Sequence, residues 1–328
     1  MKFINLLKRF YLIYKIFVVR THPVFILRFA RFIFSRYLLK QMIPITAMVS
    51  LTYRCQCRCV HCSVEKRDVK STMELTTSEV ISFLDGLSRL GVLKIGFTGG
   101  EPLLRDDICE LVAYAFRKGF SVSIDTNGVL LSAAMVSRLK SSGICNFNIS
   151  IDRPDAVFHD RLRRNKGCFD NAIAGLKECV RLRVPCVIST YVTRWGRAKT
   201  RLNEIIIMGR QLKVTAVRVL FPIYSGQLSD KKQHLLSPTD KKDFFNTIVD
   251  PDFVYSESPL FDFISSRVEC TARRKLSIYI TPDGFVKPCY ATSQSLGNVR
   301  DKSIGQVLKD SSYLDLGTAL KIQCESLV

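Results

Sequence analysis

Residues 45–62 read ITAMVSLTYRCQCRCVHC, an apolar, β-branched run that breaks into four cysteines within eight residues. Ile45 to Leu51 has strand composition, so the thiols fall where a strand's C-terminal end meets its loop. Cys55, Cys59 and Cys62 stand in a Cx3Cx2C spacing, with Cys57 as an additional thiol. Three thiolates on one tight loop can grip three irons of a 4Fe-4S cube and leave the fourth open to a small chelating ligand. A zinc knuckle or incidental cysteines are the competing readings, although zinc usually closes four positions with paired ligands and no matching pair follows.

Downstream of this loop, short strand-like runs alternate with amphipathic stretches. The runs are Lys94 to Thr98, Ser121 to Thr126, Asn146 to Ile151, Val187 to Tyr191 and Val217 to Phe221. The helical periods lie near Thr77–Leu90, Asp107–Lys118, Ser132–Ser141, Asn171–Leu182 and Asn203–Leu212. Counting the strand before the cysteines, six βα repeats predict an α/β chain folded as a partial (β/α)6 barrel over residues 45–249, with function at the C-terminal ends of its strands. A polar linker is expected between Tyr224 and Lys242.

The second strand ends in Thr98-Gly99-Gly100-Glu101-Pro102. Two glycines allow close backbone approach, and a glutamate can accept from an ammonium. A Cx3Cx2C loop after one strand and GGEP after the next resembles the radical S-adenosylmethionine (SAM) superfamily over roughly residues 46–310. The resemblance implies a 4Fe-4S cluster on Cys55, Cys59 and Cys62, with SAM chelating the open iron and Gly99, Gly100 and Glu101 orienting its methionine moiety. It further implies reductive cleavage of SAM to a 5'-deoxyadenosyl radical that abstracts hydrogen, fed by a reducing partner such as flavodoxin or ferredoxin. On the same pattern His61 falls near the adenine, while Asn127, Ser150 and Asp152 fall toward the ribose. HDRLRRNKGCFDNA, from His159, resembles the HDxxR stretch of the peptide-modifying branch. There Arg163, in competition with Arg161 and Arg164, would pair with the SAM carboxylate.

Residues 250–328 are expected to form a small extension. Cys270, thirteen residues, Gly284, four residues and Cys289 resemble the opening of a SPASM or shorter twitch domain. Pro282-Asp283-Gly284 would turn a hairpin between Ser277–Ile280 and Phe285–Lys287. A full SPASM domain carries several more closely spaced cysteines, whereas Cys324 alone follows. One auxiliary iron-sulfur cluster on Cys270, Cys289 and Cys324 is therefore the expectation, with a cluster-free domain as the alternative. Cys109, Cys145, Cys168, Cys179 and Cys186 lie in βα patterning and read as core thiols.

Upstream, residues 1–44 read as two aromatic-rich amphipathic helices broken at His22-Pro23; in the second, Arg28, Arg31, Ser35 and Lys40 recur at helical spacing, leaving Phe25, Ile26, Phe29, Ile33 and Leu38 for other faces. Residues 1–64 hold 11 Lys/Arg and no acid, a large share of the chain's formal charge of +20. No uncharged run reaches the ~18 residues of a spanning helix, and a secretory signal is disfavoured by the basic residues that interrupt the apolar stretch. The segment is read as lying on the inner face of a membrane, against packing on the protein's own body or a transit peptide. Twelve cysteines without a cleaved signal point to the reducing cytoplasm. A peptide or protein is the leading substrate, with a haem-like or lipid-linked molecule, or an iron-sulfur scaffold without SAM chemistry, as alternatives. Nucleic acid is disfavoured because no RNA-binding module is recognised.

Overall fold

The computed structural model describes residues 2–64, 74–192, 195–221, 225–228, 237–247, 252–256, 271–272 and 274–310. Two helices come first, α1 (Lys2–Ile13) and α2 (Val24–Ile33), each running on into a π-helical turn, Tyr14–Val18 and Phe34–Leu38. Then β1 (Thr46–Ser50), α3 (Thr77–Leu90), β2 (Lys94–Thr98), α4 (Ile108–Arg117), β3 (Ser121–Thr126), α5 (Ala133–Ser141) and β4 (Asn146–Ser150) follow. The chain continues through α6 (Ala156–Arg163), α7 (Cys168–Arg181), β5 (Cys186–Tyr191), α8 (Trp195–Gln211) and β6 (Ala216–Leu220). All six expected strands form, in parallel and in chain order.

One face of each strand feeds the core. Ala47, Val49, Ile95, Phe97, Phe147 and Ile149 are fully buried between the sheet and its helices. The opposite face is polar: Asn146 and Asn148 alternate with Phe147 and Ile149, and Ser123 and Asp125 with Ile124. A two-sided apolar sheet would show continuous hydrophobic runs, so this alternation marks a barrel with a polar interior.

Beyond β6 come α9 (Pro238–Thr247), β7 (Val254–Ser256), the hairpin β8 (Ser277–Ile280) and β9 (Phe285–Lys287), β10 (Gly297–Asn298) and α10 (Ile304–Asp310). The hairpin stands at its expected residues. Its first strand, however, pairs in parallel with β1, and β7 pairs in parallel with β6. Strands from both sides of residue 250 thus share one sheet of ten, in the order β10-β9-β8-β1-β2-β3-β4-β5-β6-β7.

The N-terminal helices cover the N-terminal ends of the strands. Leu12, Ile16 and Phe17 pack with Val187, Ala216 and Tyr255, and Arg20 Nε donates to Ile144 O at 3.0 Å. The polar stripe along α2 and beyond its π-helical turn is split between the two sides, since Arg31 and Lys40 are exposed. Arg28 and Ser35 are buried together with Phe25 and Phe32, while Ile26, Leu27, Phe29 and Ile33 are exposed. Arg28 donates to Val92 O, to Ser88 Oγ at 2.7 Å and to Lys118 O, and it lies 4.2 Å from the centroid of the Phe120 ring. The loops between helices and strands leave carbonyls at this end of the barrel, and the guanidinium satisfies three partners at once.

Candidate active site and cluster-binding loop

Cys55, Cys59 and Cys62 line a cavity of about 790 Å³ inside the barrel, at the C-terminal ends of its strands. The loop is held by backbone bonds from several directions. Arg58 N donates to Arg163 O and Val60 N to Leu162 O, both at 3.0 Å, which ties the thiols to the end of α6. Tyr53 reaches across to the hairpin turn, its hydroxyl 2.8 Å from Asp283 Oδ1. Gln227 N donates to Cys62 O at 2.8 Å. Gly226 has φ +53°, and a Cβ there would stand 2.3 Å from that same oxygen. Ser225 to Leu228, expected within a linker, therefore form a strap on the cysteine loop that only glycine permits.

Gly99 and Gly100 line the same cavity. Gly100 N donates to Thr52 O at 2.7 Å, and a Cβ on Gly100 would lie 2.2 Å from Arg54 O, so the turn can abut the cysteine loop only without a side chain. Glu101 is built into the wall beside this turn. Its side chain is fully buried and does not line the cavity. The carboxylate accepts from Thr126 Oγ1 at 2.7 Å, Asn127 N at 2.8 Å and Leu103 N at 3.1 Å. Burial pushes it up to about 7 against those bonds. These bonds clamp the glycine turn to the end of β3.

Asn127, Ser150, Asp152, Arg163 and His61 all line the cavity. Of the three competing arginines, Arg163 is buried and Arg161 and Arg164 are exposed. Two of its nitrogens meet Asp152 Oδ2, Nε at 2.8 Å and Nη2 at 2.7 Å, and Nη1 lies 3.7 Å from Cys59 Sγ. Burial is the largest influence and pushes the Asp152 carboxyl up, but Arg163, His61 and His159 together outweigh it and hold the group at about 2. Arg163 is thus engaged by a wall carboxylate and a cluster-loop thiol. The Cys57 thiol, opposed by burial and assisted by Arg163, brings Cys59 down to about 7. Asn127 Nδ2 donates to Cys55 Sγ at 3.6 Å. His61 is brought down to about 4 by burial and is neutral; it stacks on Tyr191 with centroids 5.1 Å apart.

The HDxxR stretch is built into the scaffold. His159 Nδ1 accepts from Asp152 N at 3.2 Å, and Asp160 accepts from Gly167 N and Phe169 N. Cys57 is buried with its sulfur 4.0 Å from that of Cys168, a pairing across 111 residues that neither local motif discloses. Cys289 lines the cavity, while Cys270 and Cys324 lie outside the described residues. Sequence reasoning also missed an interior polar chain, in which Asn148 donates to Asp125 and Arg218 bridges Asp125 at 2.9 Å and Ser189 Oγ at 3.0 Å. The period-two polar alternation of β3 and β4 is the signal that would have found it.

Among the described residues no three His, Cys, Asp or Glu side chains converge as ligands of one metal ion. The thiolates of a 4Fe-4S cube each serve their own iron rather than converging on one ion. Three cavity-lining thiols, beside a guanidinium and an amide donor, have the donor chemistry of a cluster site, and the Gly99-Gly100 turn borders the same cavity.

A model of the radical SAM superfamily matches residues 49–194, and one of an iron-sulfur cluster-binding domain, SPASM, matches residues 270–326. An AdoMet-dependent heme synthase from Methanosarcina barkeri is 30% identical over 190 residues, which are 58% of this chain and 53% of that protein. An Fe-coproporphyrin III synthase of the same organism is 39% identical over 130 residues, 40% of this chain and 32% of that one. The chain therefore matches about half of the first relative and about a third of the second. Among solved structures, Streptococcus suis SuiB bound to its precursor peptide SuiA superposes with a TM-score of 0.69 at 17% identity, over 91% of this chain and 72% of that one.

Proposed function

Because this chain belongs to the radical SAM superfamily and carries a SPASM iron-sulfur domain, we propose that it modifies an acidic organic substrate held in the barrel cavity, an iron tetrapyrrole first among the candidates. One observation carries the acidic character. The cavity wall bears five cations, Arg54, Arg58, Lys94, Arg163 and Arg218, against two carboxylates, Asp125 and Asp152. Such a surplus favours an anionic guest. The relatives named for haem synthesis support the tetrapyrrole.

Cys55, Cys59 and Cys62 would hold the cluster, and the Gly99-Gly100 turn would border SAM. Bound there, the two supply one-electron cleavage of the sulfonium and hydrogen abstraction from the substrate. The chain's own contribution is positional. Arg163 and Asn127 offer donors to two of the sulfurs, Glu101 fixes the turn, and the buried wall keeps water from the reacting atoms. Cys289 is offered as one ligand of an auxiliary cluster, with Cys270 and Cys324 as its expected companions.

A peptide substrate is the second reading, favoured by the His159 to Arg163 motif. The deciding experiment incubates anaerobically reconstituted, reduced enzyme with SAM and either Fe-coproporphyrin III or a peptide mixture, and follows 5'-deoxyadenosine. Stimulation by the tetrapyrrole is expected; stimulation by peptide alone would transfer the assignment. The working place proposed is the cytoplasmic face of a membrane, supported by the outward apolar side of α2 and the absence of acids from residues 1–64. No helix among the described residues is long and apolar enough to cross a bilayer.

A further inference from the structure

Lys94 opens β2, at the end of the barrel opposite the cysteine loop, and its side chain lines the cavity that the three thiols line. A strand rises about 3.3 Å per residue, so the four steps to Thr98 set Lys94 roughly 13 Å from the glycine turn. Its surroundings differ from those of the other interior cations. Arg163 is held by Asp152, and Arg218 by Asp125 and Ser189. Arg54 donates to Thr52 Oγ1 and Leu104 O. Arg54, Arg58 and Arg163 also stand at the cysteine end, where thiolate charge gathers.

Lys94 has neither explanation. Among the described residues its ammonium makes no hydrogen bond or ion pair, and it sits over the Phe17 ring, 4.1 Å from the centroid. Burial pushes it down to about 8, with Asp125 pulling it back up and Arg218 pushing it further down. A cation facing a cavity without a carboxylate of its own is left with unmatched donors. The cavity lining also includes Met48, Tyr255 and Tyr279, which suit an apolar or aromatic body.

We infer that Lys94 is the recognition point for a carboxylate at the far end of the substrate, an acid on an apolar body whose reacting carbon lies toward the cysteine loop. This rests on the cavity being the substrate site, and it holds whether the carboxylate belongs to a tetrapyrrole or to a peptide.

The test is equilibrium binding to the full chain. The probes are coproporphyrin III and its tetramethyl ester, followed by porphyrin fluorescence, and a fluorescein-labelled peptide with a free or an amidated C-terminal carboxylate. Lys94→Met should weaken binding of the carboxylate probe about 30-fold and leave the ester or amide unchanged, while Lys94→Arg restores most of the loss. Unaltered ester binding also shows that the variant is folded. Equal affinity of Lys94→Met and the parent for the acid overturns the inference, as does a parent chain that binds no carboxylate probe. Lys94-dependent binding of the peptide without binding of the porphyrin would instead remove the tetrapyrrole and leave the subsite standing.

Discussion

Glu101 is a carboxylate that the fold makes costly to ionise. Its folded value of about 7 lies above the ordinary 4.5, so the folded state holds the proton more tightly than the unfolded chain. The stability this gives is complete below about pH 4.5 and is lost as pH rises through about 7. Urea midpoints of the metal-free chain should therefore fall between pH 5 and pH 7.5 by an increment that Glu101→Gln removes. At fixed pH the same substitution turns an amide donor toward a donor and should cost about 1–3 kcal/mol. The thiols make a second residue-level prediction. Replacing Cys55, Cys59 or Cys62 by Ala should abolish SAM cleavage, whereas Cys57→Ala should retain it, because Cys57 faces Cys168 in the wall. An inactive Cys57→Ala beside an active Cys55→Ala would reverse the assignment. The thiol spacing and the glycine turn were legible in the sequence because each is local. The partners of Glu101 and Arg163 were not, since Thr126 and Asp152 stand 25 and 11 residues away.

Elements were read best where one periodicity acts alone. The second and third strands and the hairpin stand where apolar alternation and the Pro-Asp-Gly turn put them, and α3 is bracketed by a Thr76–Glu79 capping box and by Gly91 at φ +90°. The orientation of α2 defeated the same method, because an arginine among phenylalanines reads as a water-facing residue until the carbonyls it meets are known. Arg28→Met tests the burial of that arginine. It strands the carbonyls of Val92 and Lys118 and should lower unfolding stability by about 2–4 kcal/mol, more than an exposed arginine of the same helix could. In the extension, the prediction concerns iron. A chain carrying Ala at Cys55, Cys59 and Cys62 should keep about four irons if Cys289 and its companions hold a 4Fe-4S cluster, and little iron after competent reconstitution would rule that cluster out.

Across the whole molecule, 16 of the 20 exposed large hydrophobic residues of the described chain fall between Leu7 and Met42. An apolar patch of that density beside basic side chains matches an anionic bilayer surface. Replacing Ile26, Phe29 and Ile33 together by Ser should abolish flotation with anionic vesicles and leave stability nearly unchanged, since these side chains are exposed. Flotation equal to that of the parent would refute the membrane role. Because these helices cap the N-terminal ends of the strands, such docking would turn the cysteine end of the barrel toward the cytosol. The placement of β8 beside β1 bears instead on how the protein is made. Met48 finds its register partner in Tyr279, and Tyr53 its hydroxyl acceptor in Asp283, 230 residues further along. A chain leaving the ribosome therefore carries β1 with one edge bare until the residues from Ser277 onward have been synthesised, during which β2 is the partner within reach. Contacts of that span fold slowly, and an open strand edge invites pairing with another molecule. Cysteines that emerge early on an unfinished loop, with that edge uncovered, make synthesis and cluster loading a race that a nascent chain stalled before Ser277 loses.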